Sequence, residues 1–292
     1  MLKSHGRHPY VPITRKTAGT WPNGARLAVY FALGVEEYAF GEGLTENLLP
    51  GVPHPDLANA SWRDYGNRVG AFRILDHFRR AEVPLAVLLN TAVYDHAPEL
   101  TRALSAAGCE IVAHGISNSD TLNGMAEATE AAYLAAVREA IRAREGRPPL
   151  GWSSPWLAQT PNTLDLLKEA GYGYVLDLGL DDRPVWLTTR SGPLLHIPYA
   201  LELNDSSTAI GRLASGRDFA AMIVDQFDEM LASADQPLVM SVVLHSFISG
   251  QPFRLRALSE ALAHVVRRRD SVWLTTPGAI HAEAVSGADV VV

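Results

Sequence analysis

The stretch Leu27-Ala28-Val29-Tyr30-Phe31-Ala32-Leu33-Gly34-Val35-Glu36-Glu37 joins an apolar run directly to two adjacent glutamates. Its apolar residues over Leu27–Leu33 predict a strand buried on both faces, as in a parallel sheet. Glu36 and Glu37 then follow the end of that strand. Charged residues default to the surface, so a solvated turn is one interpretation of the pair. The apolar run leading into them makes a functional pair an equal alternative.

Runs of this kind recur along nearly the whole chain, in alternation with amphipathic helical segments. That alternation is typical of parallel βα units, and eight strands would suit an α/β barrel. The predicted strands are Leu27–Leu33, Leu85–Leu89, Glu110–Ala113, Leu150–Trp152, Tyr174–Leu178, Leu194–Pro198, Leu238–Leu244 and Val272–Thr275. The predicted helices lie near Val69–Arg80, Pro98–Ala107, Ala126–Arg144, Asn162–Ala170, Asp218–Ala232 and Arg254–Arg267.

The domain organisation follows from the lack of any low-complexity linker or break in composition, which predicts a single domain over residues 1–292. One long irregular stretch, residues 38–65, is rich in glycine and proline. Loops of this length are usually functional or disordered, so it is either a lid, a subunit contact or a plain surface loop. Residues 1–20 are expected to form an N-terminal arm tied onto a neighbour.

Composition excludes several classes of function. The chain has 292 residues, 47% of them hydrophobic, a net charge of −7 and one cysteine. It has no clustered basic face for nucleic acid and no disulfide framework. It also has no apolar leader and no run of the roughly 18 apolar residues that span a bilayer. We expect a cytoplasmic protein that binds neither nucleic acid nor membrane and forms a homo-oligomer, a dimer or tetramer.

Polar side chains gather where the predicted strands end. In an α/β barrel the carboxyl ends of the strands share one mouth, where the chemistry takes place. Carboxylates, imidazoles and neutral donors together suit hydrolysis of an acyl bond. In strand order these residues are Glu36 and Glu37; His114; Trp152, Ser153 and Ser154; Asp177, Asp181 and Asp182; Tyr199, Glu202, Asn204 and Asp205; and His245 and Ser246.

Two histidines each close an apolar strand, His114 after Val112-Ala113 and His245 after Val243-Leu244. A lone histidine in that place is usually a hydrogen-bonded core residue. Two of them are harder to explain in that way. Cys109 opens the strand that His114 closes, so at about 3.3 Å per residue the two stand at opposite ends of it and cannot act as a pair.

In this order and spacing the motifs resemble those of the polysaccharide deacetylase superfamily, and more closely its allantoinases and cyclic imide hydrolases. The resemblance runs through nearly the whole chain. Its motifs are Glu36-Glu37; His114-Gly115; Gly151-Trp152 followed by Pro161-Asn162-Thr163; Asp181-Asp182-x-Pro-x-Trp186; Pro198-Tyr199 with Asn204-Asp205; and Leu244-His245 with Gly250-x-Pro252-x-Arg254.

This resemblance implies an α/β protein with a deformed (β/α) barrel of the NodB type, about seven strands in its wall, and hydrolysis of a C–N amide bond. It implies catalytic roles for Glu36, Glu37, His114 and His245. The substrate-binding residues that it implies are Trp152, Ser154, Asp182, Trp186, Tyr199, Asn204 and Arg254.

One residue and one short segment depart from the family pattern. Sugar deacetylases carry a second histidine four residues after the first, and here that position is Asn118. An amide oxygen is a weaker zinc ligand than imidazole. Two alternatives therefore remain: one divalent metal, zinc or manganese, held by Glu37, His114 and Asn118, or no metal at all. The arginine-containing stretch of allantoinases is replaced by residues 153–159, whose apolar and aromatic character suits a smaller, less polar ring.

The favoured hypothesis is a hydrolase that opens a small cyclic imide such as succinimide to the half-amide. Glu36 activates water, Glu37 and His114 position it or a metal, and His245 and Asn118 stabilise the oxyanion. An allantoinase, an N-deacetylase of sugars and a catalytically silent barrel are the alternatives.

Overall fold

The protein is described here by a computed structural model, which covers residues 5–48, 51–53 and 55–286. Residues 1–4 of the predicted arm, residues 49, 50 and 54 of the predicted long loop, and residues 287–292 lie outside the described part.

The described residues form one nine-stranded sheet. Its strands run in the order β6-β7-β5-β4-β3-β2-β1-β8, and β9 pairs with β1. All pairings are parallel except that of β6 with β7. The strands are β1 (Leu27–Val35), β2 (Ala86–Leu89), β3 (Glu110–Ala113), β4 (Gly151–Trp152), β5 (Tyr174–Val175), β6 (Val185–Leu187), β7 (Leu194–His196), β8 (Leu238–His245) and β9 (Trp273–Thr275).

The sheet curves into a barrel whose wall has one irregular seam. Between β7 and β8 the chain is joined by a bridge of Asn204 with Val243 and by a hydrogen bond of 2.9 Å from the Val243 amide to the Leu203 carbonyl. Seven parallel strands, β1 to β5 with β7 and β8, complete the wall. The predicted α/β class with a deformed (β/α) barrel is therefore confirmed.

Helices connect the strands. The described helices are α1 (Leu57–Tyr65), α2 (Ala71–Ala81), α3 (Val93–His96), α4 (Pro98–Ala106), α5 (Glu127–Glu145), α6 (Thr163–Glu169), α7 (Gly216–Ser233), α8 (Ser246–Ser249), α9 (Pro252–Val266) and α10 (Pro277–Val285). The six predicted helical segments correspond closely to α2, α4, α5, α6, α7 and α9. A turn of π-helix, Gly66–Gly70, links α1 to α2. None of the helices in the described ranges is long and apolar enough to cross a membrane.

The prediction that residues 38–65 are irregular throughout is wrong, because α1 occupies the last third of that stretch. Asp56 caps α1 by accepting hydrogen bonds from the amides of Ala58 and Asn59. Trp62 of α1 packs edge-on against Phe247 of α8, with ring centroids 4.8 Å apart. Helix α1 thus packs at the carboxyl end of β8, against the residues that follow that strand.

The described part of the N-terminal arm, residues 5–20, packs along its own chain. The Arg7 guanidinium donates to Asp165 of α6 at 2.7 and 2.8 Å. The amide of Thr188 donates to the Arg7 carbonyl at 2.7 Å. These contacts hold the arm beside α6 and the segment between β6 and β7.

Candidate active site

Glu36 lies immediately after β1, and only 5% of it is exposed. Its Oε2 accepts a hydrogen bond of 2.7 Å from the Tyr38 hydroxyl. Its Oε1 faces two imidazoles, 3.4 Å from Nε2 of His245 and 3.6 Å from Nε2 of His114. Gly34 leaves room for this arrangement, since a Cβ there would stand 3.0 Å from Oε1 of Glu36 and 3.2 Å from Cδ2 of His245. The first strand therefore places one carboxylate beside two histidines.

His114 directly follows β3, two strands away from β1. Its Nδ1 lies 2.7 Å from the backbone carbonyl oxygen of Ser153. A carbonyl oxygen only accepts, so Nδ1 carries the hydrogen of this bond. When the imidazole is neutral, Nε2 is then an acceptor directed toward Glu36.

His245 is the last residue of β8, in register with Gly34 of β1. Its Nδ1 lies 2.6 Å from Oδ1 of Asp205, and its amide donates to Oδ2 of Asp205 at 2.9 Å. The Ser249 hydroxyl also donates to Oδ2. Asp205 comes from the seam after β7, so the irregular part of the wall supplies the carboxylate that orients this histidine.

The charges of this group depend on one another. Burial opposes ionisation of Glu36, but the charge of His245 and the contacts with the imidazoles of His114 and His245 outweigh it and hold the pKa of Glu36 well below its ordinary value. Burial also opposes the charged form of His245, and the carboxylates of Glu36 and Asp205 nevertheless raise the pKa of His245 well above 6.5. An ionised Glu36 beside a protonated His245 is the favoured state near neutral pH.

Glu37 turns away from this group. Its Oε1 lies 3.3 Å from Nδ1 of His96, and its Oε2 accepts from the Asn67 amide at 3.3 Å. The backbone amide of Glu37 donates to Asn90 at 2.9 Å. Successive residues of an extended chain point to opposite sides, which is why adjacent glutamates separate here. The structure brings Glu36 to His114 and His245, and Glu37 to His96.

Asn118, the position of the missing family histidine, is buried and makes hydrogen bonds with both ends of its side-chain amide. Its Oδ1 accepts from the Asn90 amide at 3.3 Å, and its Nδ2 donates to the Tyr38 hydroxyl at 3.3 Å. The Asn118 backbone is held as well, since its carbonyl accepts a hydrogen bond of 2.7 Å from the indole of Trp156. Asn118 therefore supports Tyr38, which in turn holds Glu36.

The three predicted metal ligands do not converge in this arrangement. His114 directs Nε2 at Glu36, Glu37 pairs with His96, and Asn118 is engaged as just described. Among residues 5–48, 51–53 and 55–286, no group of three or more His, Cys, Asp and Glu side chains is placed to hold a metal ion. Zinc requires three or four converging ligands, so the side chains as arranged here do not fit a bound divalent metal.

The fourth strand end adds a buried polar chain behind His114. The indole of Trp152 donates to the Ser154 hydroxyl at 2.8 Å, and that hydroxyl donates to Asp177 at 2.6 Å. Gln159 donates to the same carboxylate at 2.7 Å. Burial, opposed by these hydrogen bonds, raises the pKa of Asp177. Two of the predicted binding residues, Trp152 and Ser154, thus form part of the inner wall.

Tyr199 and Asn204 follow β7 and reach the same end of the barrel. Tyr199 is buried, and burial, with charges that include those of Asp177 and Glu36, raises its pKa well above 10. The Asn204 side chain accepts from the Ser206 amide at 3.0 Å, which shapes the seam that carries Asp205.

The other predicted binding residues are elsewhere. Asp182 lines a separate cavity of about 460 Å³ at the seam, Trp186 belongs to the antiparallel strand β6, and Arg254 packs against Gly216 at the start of α7. Among the residues that the structure describes, none of these three hydrogen-bonds or ion-pairs with the acid–base group. The acid–base group consists of Glu36, His114, His245 and Asp205.

Three residues near Glu36, namely Tyr38, Arg63 and His96, were not predicted as site residues from the sequence, whereas Asp205 was among the polar residues expected after the sixth strand. Tyr38 lies close to a predicted strand end, so its position was a usable signal. Arg63 and His96 lie on α1 and α3, where the strand-end rule does not apply. No other sequence signal marked them.

Comparison with known proteins places the chain in a family. A family model described as Polysaccharide deacetylase matches residues 62–175, a range that includes His114. The crystal structure of a probable polysaccharide deacetylase from Pseudomonas aeruginosa PAO1 is 30% identical, covers 91% of this chain and 93% of its own, and has a TM-score of 0.79. The chain belongs to the polysaccharide deacetylase family. The family predicted from the sequence motifs is therefore confirmed.

Two further relatives differ in the activities that their names carry. The crystal structure of PuuE allantoinase is 30% identical, with a TM-score of 0.80, and covers 91% of this chain and 93% of its own. A Schizosaccharomyces pombe protein provisionally named a polysaccharide deacetylase is 27% identical over 287 residues, 88% of this chain and 89% of the relative. The chain is thus similar both to a protein named an allantoinase and to proteins named polysaccharide deacetylases.

Proposed function

We propose that this member of the polysaccharide deacetylase family hydrolyses the C–N bond of a small cyclic amide or imide. The observation that carries the proposal is the 3.4 Å approach of Glu36 Oε1 to Nε2 of His245, with Asp205 behind the same imidazole at 2.6 Å. This pair offers an ionised carboxylate as base and a protonated imidazole as acid in one buried space.

Each proton has a defined place in the proposed reaction. Water held between Glu36 and Nε2 of His114 gives one proton to the Glu36 carboxylate, and the resulting hydroxide attacks the carbonyl carbon. As the C–N bond breaks, Nε2 of His245 gives its proton to the leaving nitrogen. The proton on Glu36 then passes to Nε2 of His245, which restores the resting pair, and the new carboxylic acid releases its own proton to solvent. An imide nitrogen is a good leaving group, so it needs less help from the acid than an ordinary amide.

Enclosure of the site favours a small ring over a polymer. Glu36 also borders a cavity of about 440 Å³, which is bounded on one side by α1 and whose lining includes Glu37 and His96 but neither His114 nor His245. Glu46 of the long loop accepts a hydrogen bond from Ser206 of the seam, so the loop reaches across the mouth of the barrel. A cavity of this size suits a compact ligand.

Ring opening of allantoin is the second candidate, favoured by the 30% identity with PuuE allantoinase. Removal of acetyl groups from sugars is the third, and the name of the Pseudomonas structure favours it.

A substrate panel with a matched pair of variants tests the proposal. Succinimide, maleimide, hydantoin, allantoin and N-acetylated chitooligosaccharides are assayed with the purified protein, with and without added zinc or manganese. We expect ring opening of at least one imide, and a loss of about 10²- to 10⁴-fold in kcat for Glu36→Gln, the usual contribution of a general base.

Glu42→Gln is the control, since Glu42 is an exposed glutamate of the long loop. An enzyme that leaves every ring intact, or a Glu36→Gln protein that is folded and fully active, contradicts the proposal. Acetate release from the oligosaccharides alone would assign the protein to the deacetylases.

A further inference from the structure

The cavity beside Glu36 contains one cation that lacks a carboxylate partner. Glu36 and Glu37 lie at one end of this space of about 440 Å³, and Arg63 of α1 lines it together with Asn67 and His96. Arg63 is 8% exposed, so its guanidinium is removed from bulk water. A charge buried in this way normally has a charged partner, because desolvation is costly.

The contacts of Arg63 use little of its hydrogen-bonding capacity. The guanidinium lies 4.3 Å from the centroid of the Tyr38 ring, and Nη1 donates to the backbone carbonyl of Glu46 at 3.5 Å. Its Nε is buried and has no hydrogen-bond partner. Arginine has five N–H donors, and among the described residues no carboxylate lies within ion-pair distance of Arg63. The remaining Nη donors are therefore available to a ligand, whereas the buried Nε is not.

The other charges at the cavity have partners or face water. Glu36 faces His114 and His245, and Glu37 faces His96. Asp64 is exposed. The half-buried Glu46 offers Arg63 its backbone carbonyl; its Oε1 accepts from Ser206, while its Oε2 is buried without a hydrogen-bond partner. Arg63 is thus the buried charge at this cavity that makes no ion pair at contact distance within the described chain, although the charges of Glu46, Asp64 and Glu36 act on it from farther away.

We infer that Arg63 binds a carboxylate group of the substrate, so that the substrate is a cyclic amide or ureide that carries a carboxylate. This rests on the proposed ring opening. The planar fork of a guanidinium matches a carboxylate in two parallel hydrogen bonds. Stacking on Tyr38, whose hydroxyl holds Glu36, sets the anion site at a fixed distance from the base.

Size supports the same conclusion. A cavity of about 440 Å³ lies in the range that holds drug-sized ligands. An unsubstituted five-membered imide leaves most of that volume empty. A ring with a carboxylate substituent fills more of it.

Matched pairs of rings that differ in a carboxylate test the inference. The pairs are dihydrouracil with dihydroorotate, hydantoin with hydantoin-5-acetate, and 2-pyrrolidinone with pyroglutamate. Binding is measured by calorimetry on the Glu36→Gln protein, so that no turnover is needed. We expect the carboxylated member of at least one pair to bind at least about tenfold more tightly, the factor that a hydrogen bond to a charged group supplies. Adding Arg63→Met should remove that preference.

Two further variants keep the result interpretable. Arg68→Met is the matched control, because Arg68 is exposed on the neighbouring π-turn, and it should leave the preference intact. Arg63→Lys retains the positive charge without the planar guanidinium and should retain part of the preference for carboxylated rings. It also tests the inference if Arg63→Met does not fold. Equal binding of both members in all three pairs, or a preference that survives in folded Arg63→Met, overturns the inference.

Turnover by the unmodified enzyme separates this inference from the proposed function. Ring opening without any preference for carboxylated rings leaves the function standing and removes the role of Arg63. If a carboxylated ring binds through Arg63 but no ring is turned over, the role of Arg63 stands and the proposed ring-opening function is contradicted.

Discussion

Glu36 and His245 are two buried groups that stabilise each other's charge. Either ion alone would be costly in this environment, because desolvation opposes its charged form. At 3.4 Å the attraction between the opposite charges of Glu36 and His245 offsets the cost of desolvation. Asp205 adds a second negative charge on the other side of the imidazole. The same contacts that stabilise the pair also hold the base ionised and the acid protonated, which is the state that the proposed hydrolysis needs.

The pH dependence of the reaction follows from these shifts. The pKa of Glu36 is held well below its ordinary 4.5 and that of His245 is raised well above 6.5. The active ion pair should therefore persist from mildly acidic to neutral pH and be lost on the alkaline side, as His245 releases its proton. Asp205→Asn removes one of the charges that raise the pKa of His245. We expect the alkaline limb of kcat/KM to move to lower pH by about one unit or more.

A surface pair of the same type provides the control for this measurement. Asp228 lies 2.8 Å from His264, and its side chain is 52% exposed. Asp228→Asn should leave the pH profile of kcat/KM unchanged between pH 5 and pH 10. Superimposable profiles for Asp205→Asn and the parent would contradict the assigned role of Asp205.

At the scale of elements, the loop between β1 and α1 brings a further carboxyl group to the mouth of the barrel. Glu46 lies in this loop, and its Oε2 is buried without a hydrogen-bond partner. Burial is the main cause that raises the pKa of Glu46, with the nearby charges of His245 and Glu36 acting in opposite directions. The loop therefore holds a carboxyl group, where it crosses to the seam, in surroundings that disfavour its charged form.

Because the charged form of Glu46 is disfavoured in the folded protein, we predict a pH-dependent gain in stability for Glu46→Gln. The pKa of Glu46 in the folded protein is raised, so the folded state binds this proton more tightly than the unfolded chain. Its contribution to stability therefore falls as pH rises from about 4.5 through the raised value. Glutamine is never charged, so the Tm of Glu46→Gln relative to the parent should increase from pH 4 to pH 8. Thermal unfolding at both pH values measures this, and the exposed Glu42→Gln should show no such trend.

The sequence predicted the parallel strands well because most of them are apolar runs buried on both faces, although β3 and β9 are only partly buried. It missed β6, which is three residues long and pairs antiparallel at the edge. It missed α1 because glycines and prolines dominate the segment before it, although Asp56 is a typical helix cap.

The residues of the site, too, could be predicted from the sequence only in part. Glu36, His114 and His245 could be predicted to meet, because parallel strands bring their carboxyl ends to one edge of the sheet. The partners of Glu37 could not be predicted, since Asn67 and His96 come from helical segments whose placement depends on packing. Alternation along an extended chain does explain why only one of the two adjacent glutamates faces the histidines.

At the scale of the whole molecule, the arm and the seam close the barrel together. Arg183 lies between β5 and β6, and its side chain is 1% exposed. It pairs with Asp181 at 2.9 Å and donates to the backbone carbonyl of Arg15 at 2.8 Å. It also donates to Gln236, just before β8, at 3.3 Å. One buried guanidinium thus joins the arm to both sides of the seam.

Arg183→Met should loosen the arm without altering the acid–base group. Removing one partner of a buried ion pair leaves the other charge uncompensated, so we expect the free energy of unfolding in urea to fall by about 3 kcal/mol or more. Limited trypsin digestion should then cleave at Arg15 and Lys16 before the rest of the chain. Arg212→Met removes an exposed pair with Glu202 and should change stability by less than about 1 kcal/mol. Because Arg183 makes its contacts with the arm and the seam, Arg183→Met should keep its kcat while folded; a loss of kcat comparable to that of Glu36→Gln would instead show that the arm shapes the site.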